Sequence, residues 1–174
     1  MKISLEAVKE LRSITAASVS DCRKALEEAK GDMKEAMALL RKRGVELAAK
    51  KQDRQAKEGR IEAYVHMGNK IGVLVEVNAE SDFVARGQDF CNFTKDLAMH
   101  ITACAPLYVA KEEVPAEVLK HEKNKEDYYK AHCLMEQPFV KDPAITVKDL
   151  LVNVIAKLGE NIVVRRFTRY KIGE

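Results

Sequence analysis

The chain has 174 residues, 47% of them hydrophobic, and sets 30 Lys or Arg against 27 Asp or Glu. That length suits one ordinary domain, or a small helical module joined to a domain of roughly 100 residues, and such a chain buries about 70% of its unfolded surface without a disulfide or metal staple. Charge divides only modestly, +5 over residues 1–60 and −2 over residues 61–174, unlike the denser one-signed stripe of a committed phosphate binder, and fits an acidic protein surface at least as well as nucleic acid, which is the minority reading.

Cys22, Cys91, Cys104 and Cys133 are far apart, with no C-x-x-C, and read as free thiols of a reducing compartment. The start MKISLEAVKELR has no apolar stretch of signal-peptide length, and no run of about 18 apolar residues occurs. A soluble, cytoplasmic protein without membrane contact is expected.

Three short helices open the chain. Leu5, Val8 and Leu11 recur at helical spacing after Ser4, a good N-cap. The second helix starts with Ser18 three residues before Asp21, a shortened capping box, and Gly31 is the natural left-handed stop. The third repeats the pattern, with Asp32 as N-cap, Glu35 three residues on, Arg41, Lys42 and Arg43 at the end and Gly44 as stop. Val19, Cys22, Ala25, Leu26 and Ala29 can then face Ala36, Met37, Leu39 and Leu40, which closes a small bundle over residues 1–44.

Residues 45–58 form an exposed helical linker, poor in large apolar side chains. Residues 41–60 hold eight Lys or Arg against three Asp or Glu, which suits either a solvated connector or a contact surface for an acidic partner. From Arg60 the period becomes two. Ile61, Ala63, Val65 and Met67 point one way and Glu62, Tyr64 and His66 the other; GNK turns the chain, and IGVLVEV at 71–77 reads as a strand buried on both faces. ESDFVAR at 80–86 follows, where Ser81 and Asp82 can start a helix.

Helical spacing resumes with Phe90, Phe93, Leu97 and Ile101 and closes before Pro106. Residues 115–134 are helix-compatible but highly charged, QPFVKDP reads as a proline-bounded loop, and TVKDLLVNVIAKLGEN is a helix with Thr146 and Asp149 as capping pair and Gly159 as C-cap. The closing NIVVRRFTRYKIG alternates and makes a third strand. The predicted fold is α+β: a three-helix bundle (1–44), a linker helix (45–58) and a core (59–174) with an antiparallel three-stranded sheet packed by helices.

The sequence offers little chemistry. His66 and His100 stand alone, and His132 with Cys133 are helix neighbours about 100° apart, a poor nucleophile pair. No His or Cys set has zinc spacing, and neither G-x-x-x-x-G-K-[ST] nor G-x-G-x-x-G occurs, so no catalytic residue, metal or cofactor is expected. VVRRFTRYK at 163–171 interleaves cations with Phe167 and Tyr170, superficially a stacking platform for single strands, although an ordinary amphipathic strand accounts for it. With the basic 41–60 segment it supports an alternative reading, an RNA-binding protein.

Four stretches, 8–44, 58–90, 137–151 and 159–174, closely resemble the elongation factor Ts family, in the family's order and over most of the chain. The resemblance implies a UBA-like N-terminal bundle, a linker helix and an α+β core. It implies a guanine-nucleotide exchange factor, not an enzyme, which binds elongation factor Tu in its GDP-bound and nucleotide-free states and promotes GDP release. The family's Thr-Asp-Phe-Val stretch enters the partner near the Mg²⁺ and phosphate site; the matching residues here are Ser81, Asp82, Phe83 and Val84. The bundle then contacts the partner's G domain and the core a further domain. Thr15, Ala16, Ala17 and Ser18 stand where the family commonly has a Thr-Gly-Ala-Gly loop, and the core is of the short form, without a long insertion. Homodimerisation through the core is open; specific nucleic-acid binding is not expected.

Overall fold

The computed structural model describes residues 3–15 and 17–174. Ala16, one of the positions replacing the family's glycine-containing loop, lies outside the described residues. The chain divides into two compact units, one comprising the residues up to Arg54 with Val152–Asn161, the other Gln55–Leu151 with Ile162–Glu174. Among the described residues no helix is long and apolar enough to cross a membrane.

The first unit holds helices α1 (Leu5–Thr15), α2 (Val19–Glu28) and α3 (Met33–Lys51). Val8, Leu11, Cys22, Ala25, Leu26, Ala29 and Ala36 form its core, with Met37, Leu39 and Leu40 packed against them. Leu5 and Val19, expected inside, are exposed. The Ser18 and Asp32 side chains accept from the Asp21 and Glu35 N–H groups, as their spacing predicts. At the end of α2, Gly31 N–H donates to the Leu26 carbonyl and Lys30 N–H to that of Glu27, a Schellman closure. Gly31 is left-handed as expected, at φ 90°, and Lys30 before it is left-handed too, at φ 50°.

Gly44 does not stop α3, which continues to Lys51. Gly44 is buried, and a Cβ there would lie 3.3 Å from Val152 Cγ1 and 3.8 Å from the Ala156 Cβ of helix α8 (Val147–Leu158). Its role is close helix approach, which sequence alone does not separate from a C-cap. Lys51, also buried, donates to the Gly159 carbonyl just past α8.

The second unit is built on strands β1 (Glu58–Val65), β2 (Ile71–Ala79) and β5 (Ile162–Lys171), in the order β1-β2-β5 and antiparallel throughout, as the α+β reading requires. β2 runs on through the short helix α4 (Asp82–Ala85) into the long helix α5 (Gln88–Cys104). Val73, Val75, Val77 and Ala79 of β2 and Phe90, Phe93, Leu97 and Ile101 of α5 are buried, and α5 packs on β1 and β2. Each large side chain so buried contributes about 1.5–3 kcal/mol.

β2 is buried on one face, not both: Leu74 remains 49% exposed. The inward face of edge strand β1 carries its polar residues. Glu62 is buried against α5, held by Arg60 Nη2 at 2.6 Å and by the Thr94 hydroxyl at 3.2 Å. The outward face carries Ile61, Ala63 and Val65, beside Leu74 and, across the sheet, Tyr170. Alternation in β1 was legible; which of its faces is covered was not.

The charged region beyond α5 contains helices α6 (Ala116–Lys120) and α7 (Lys125–His132). QPFVKDP is not a bare loop: strands β3 (Pro138–Phe139) and β4 (Asp142–Thr146) make a small ladder, where prolines are tolerated because nothing pairs beyond it. His100 of α5 ties this region together. Its Nδ1 accepts from Val140 N–H (3.2 Å), so Nε2 carries the proton and donates to Gln137 Oε1 (2.9 Å). Gln137 Nε2 in turn donates to the Ala131 carbonyl.

Burial holds the His100 pKa below the ordinary histidine value, outweighing the Gln137 hydrogen bond. The unfolded chain therefore binds this proton first as pH falls. His100 favours folding fully above about pH 6.5, and that contribution is lost as pH falls from there through the lowered native value. Urea denaturation at a series of pH values should show stability falling below about pH 6.5, with a shallower slope in His100→Asn. Equal slopes would remove His100 from the account.

Candidate functional site

The site is the link between β2 and α5. β2 ends at buried Ala79 and α5 begins at Gln88, so residues 80–87 must reverse the chain while the core holds both ends. Ser81 is extended (φ −128°, ψ 150°) and its Oγ accepts from Val84 N–H at 3.3 Å, the capping role its sequence position predicts. Ala85 and Arg86 N–H groups donate to the Ser81 and Asp82 carbonyls at 3.2 and 3.1 Å, and Gly87 N–H to the Val84 carbonyl at 2.9 Å. A Cβ on Gly87 would stand only 3.1 Å from the Val84 oxygen, so glycine allows α5 to start this tightly behind α4.

The four residues singled out by the sequence are consecutive on this turn and differ sharply in burial. Ser81 and Val84 are half-buried and Ala85, at 3% exposure, plugs the turn into the core. Phe83 is 88% exposed. With Ala85 directed inward, its neighbour two residues back on a single helical turn is directed out. Asp82 is turned to Arg86, its Oδ1 accepting from Nε at 3.0 Å and its Oδ2 from Nη2 at 2.8 Å.

A second layer supports the turn. The Cys91 thiol, in the first turn of α5, donates to the Ala85 and Arg86 carbonyls at the end of α4. Arg60 Nη1 donates to the Cys91 sulfur while Nη2 holds Glu62. Sequence reading passed over Arg86, Arg60 and Cys91. The acid-to-base spacing of four from Asp82 to Arg86 was a usable signal; the Arg60–Cys91 contact spans 31 positions and had none.

The remaining candidates resolve into structure. His100 is committed to the hairpin clip. The His132 ring packs on Tyr128 with centroids 4.4 Å apart, and burial pushes the Cys133 thiol up, away from a reactive thiolate. Burial likewise raises the Cys104 thiol. Among the described residues no group of three His, Cys, Asp or Glu could hold a metal.

In β5, Phe167 pairs with Val75 on the covered face and Tyr170 with Gly72 on the open one, so the two aromatics do not share a platform. Arg166 is ion-paired with Glu76 at 2.7 Å, Arg169 with Glu174 at 2.9 Å and Lys171 with Glu174 at 2.7 Å. The strand lacks the free one-sided cationic surface that single-strand binding uses.

Comparison with known proteins bears on this geometry. A family model described as elongation factor TS matches residues 1–127. A relative named elongation factor Ts from Caldanaerobacter subterraneus subsp. tengcongensis is 49% identical, the alignment covering 99% of this chain and 98% of that protein. Proteins of the same name from Carboxydothermus hydrogenoformans and Methylacidiphilum infernorum are each 48% identical, covering 99% of this chain and 90% and 96% of their own lengths.

The cap and the exposed ring separate cleanly in stability. Ser81→Ala should destabilise the protein by about 1 kcal/mol, and Ser81→Thr should retain most of the cap. Phe83→Ala should stay within about 0.5 kcal/mol of wild type, because little is buried there to lose. Chemical denaturation checks both; a large loss in Phe83→Ala would mean that the ring serves the core.

Proposed function

The chain belongs to the elongation factor Ts family, so it is a guanine-nucleotide exchange factor acting on elongation factor Tu and not an enzyme, and we propose that its Ser81–Val84 turn is what loosens the nucleotide. The observation that carries this reading is Phe83, a large apolar ring 88% exposed on a turn otherwise capped, plugged and ion-paired. An exposed aromatic on a rigid support is suited to filling a partner's pocket at low entropic cost.

In the proposed mechanism Phe83 wedges between elements of the partner beside its nucleotide site, and the Asp82 carboxylate disturbs the Mg²⁺ and phosphate contacts electrostatically. Val84 packs at the base of the wedge and Ser81 holds its backbone. The Mg²⁺ in this reading belongs to the partner; among the described residues of this chain no group of three His, Cys, Asp or Glu could hold a metal. No bond is made or broken. The protein binds the nucleotide-free partner more tightly than the GDP-bound one, and by reciprocity lowers GDP affinity by the same factor. The bundle, residues 1–44, contacts the partner's G domain, residues 45–58 connect, and the core, residues 59–174, reaches a further domain. The setting is the cytoplasm.

Homodimerisation through the core is part of the proposal. The open sheet face exposes Ile61 (66%), Val65 (62%), Leu74 (49%) and Tyr170 (70%) around the small Ala63 and Gly72. These apolar residues share the face with Thr168 and the Glu76–Arg166 ion pair, and such a face suits a second copy packed face to face.

Two measurements test these readings. Phe83→Ala should lower stimulated release of a fluorescent GDP analogue from elongation factor Tu by about tenfold or more; unchanged release would sink the wedge. In sedimentation equilibrium the wild type should be dimeric and Leu74→Glu monomeric, whereas a monomeric wild type at micromolar concentration would sink the dimer.

A further inference from the structure

We propose that Arg86 is a positioning residue for nucleotide exchange: its guanidinium holds the Asp82 carboxylate beside Phe83, so that acid and ring reach the partner as one preset unit. The inference rests on the reading of the Ser81–Val84 turn as the exchange element.

The geometry of the pair supports it. Both carboxylate oxygens are engaged by separate nitrogens, Nε on Oδ1 at 3.0 Å and Nη2 on Oδ2 at 2.8 Å. Such a fork fixes the plane of the carboxylate as well as its distance, which a lysine ammonium cannot do. The acid precedes the base by four residues on the α4 turn, the favourable order for that spacing. Arg86 itself is fixed at the backbone, its N–H donating to the Asp82 carbonyl at 3.1 Å and its own carbonyl accepting from the Cys91 thiol. The base of the fork is therefore seated on α5.

A role confined to stability does not account for this placement. The side chains of Arg86 and Asp82 are 80% and 53% exposed, and an ion pair so open to water adds little to folding. Ser81, Ala85 and Gly87 already determine the backbone. What the fork adds is the direction of one charge. Without Arg86 the Asp82 side chain samples several rotamers, each with the carboxylate in a different place relative to the ring. With it, the rotamer is selected before docking, and that ordering is not charged against the binding of the partner.

The test is a double-mutant cycle on stimulated release of a fluorescent GDP analogue from elongation factor Tu, with Arg86→Ala, Asp82→Ala and both together, and with Arg86→Lys and Phe83→Ala alongside. Arg86→Ala should lower kcat/KM for release by about threefold to tenfold with the urea midpoint unchanged. The double variant should be no worse than Asp82→Ala alone, and Arg86→Lys should recover only part of the loss. Normal release in Arg86→Ala, or additive losses in the cycle, would overturn the inference while leaving the wedge intact if Phe83→Ala is impaired. Normal release in Phe83→Ala would overturn the exchange-element reading, and the positioning role with it.

Discussion

The packing of α5 on the β1–β2 hairpin is the constraint from which the rest of the core follows. Phe90, Phe93, Leu97 and Ile101 bury one stripe of α5 against the sheet side lined by Val73, Val75 and Val77. Once that contact is made, the end of β2 and the start of α5 are fixed in space and the chain has only residues 80–87 in which to turn. A link that short cannot hide every side chain. Ala85 is small enough to go inward; Phe83, on the opposite side of the same turn, is left outside. The exposed ring is thus a consequence of the core, held by it rather than merely tolerated beside it.

Exchange by linkage, in the role proposed for the Ser81–Val84 turn, makes particular demands. A factor that acts only through differential binding needs no nucleophile, base or metal, but it must not spend its binding energy on ordering itself. The turn is ordered in advance by a serine cap, a glycine that permits close approach, a cysteine thiol on two carbonyls and an arginine fork. Each is modest alone. Together they order the backbone that carries Phe83 and the carboxylate of Asp82. The Arg60–Glu62–Thr94 cluster extends the same support from β1 to the first turns of α5.

What could be read from sequence was local. Ser18, Asp32, Ser81 and the Thr146–Asp149 pair cap helices as their spacing indicates, because a cap is decided within four residues. Alternation gave the three strands, and helical spacing gave the buried stripe of α5. What could not be read depended on distant residues. Gly44 looks like a stop but is a contact with a helix more than 100 positions away. The covered side of β1 is its polar side, because Arg60 and Thr94 satisfy Glu62 there. Lys30 joins the expected Gly31 in the left-handed region, and the β3–β4 ladder forms across two prolines. At the site itself, hydroxyl, acid and aromatic were visible as a string, whereas the outward direction of Phe83 came from the family resemblance and from the burial of Ala85.

The central claim is that this chain stabilises the empty form of its partner at the expense of the loaded one. The most direct measurement is its affinity for elongation factor Tu prepared free of nucleotide and again saturated with GDP and Mg²⁺, by titration calorimetry under one set of conditions. The account predicts much tighter binding to the nucleotide-free form, by the same factor by which the chain weakens GDP binding. Equal affinity for the two forms would contradict it.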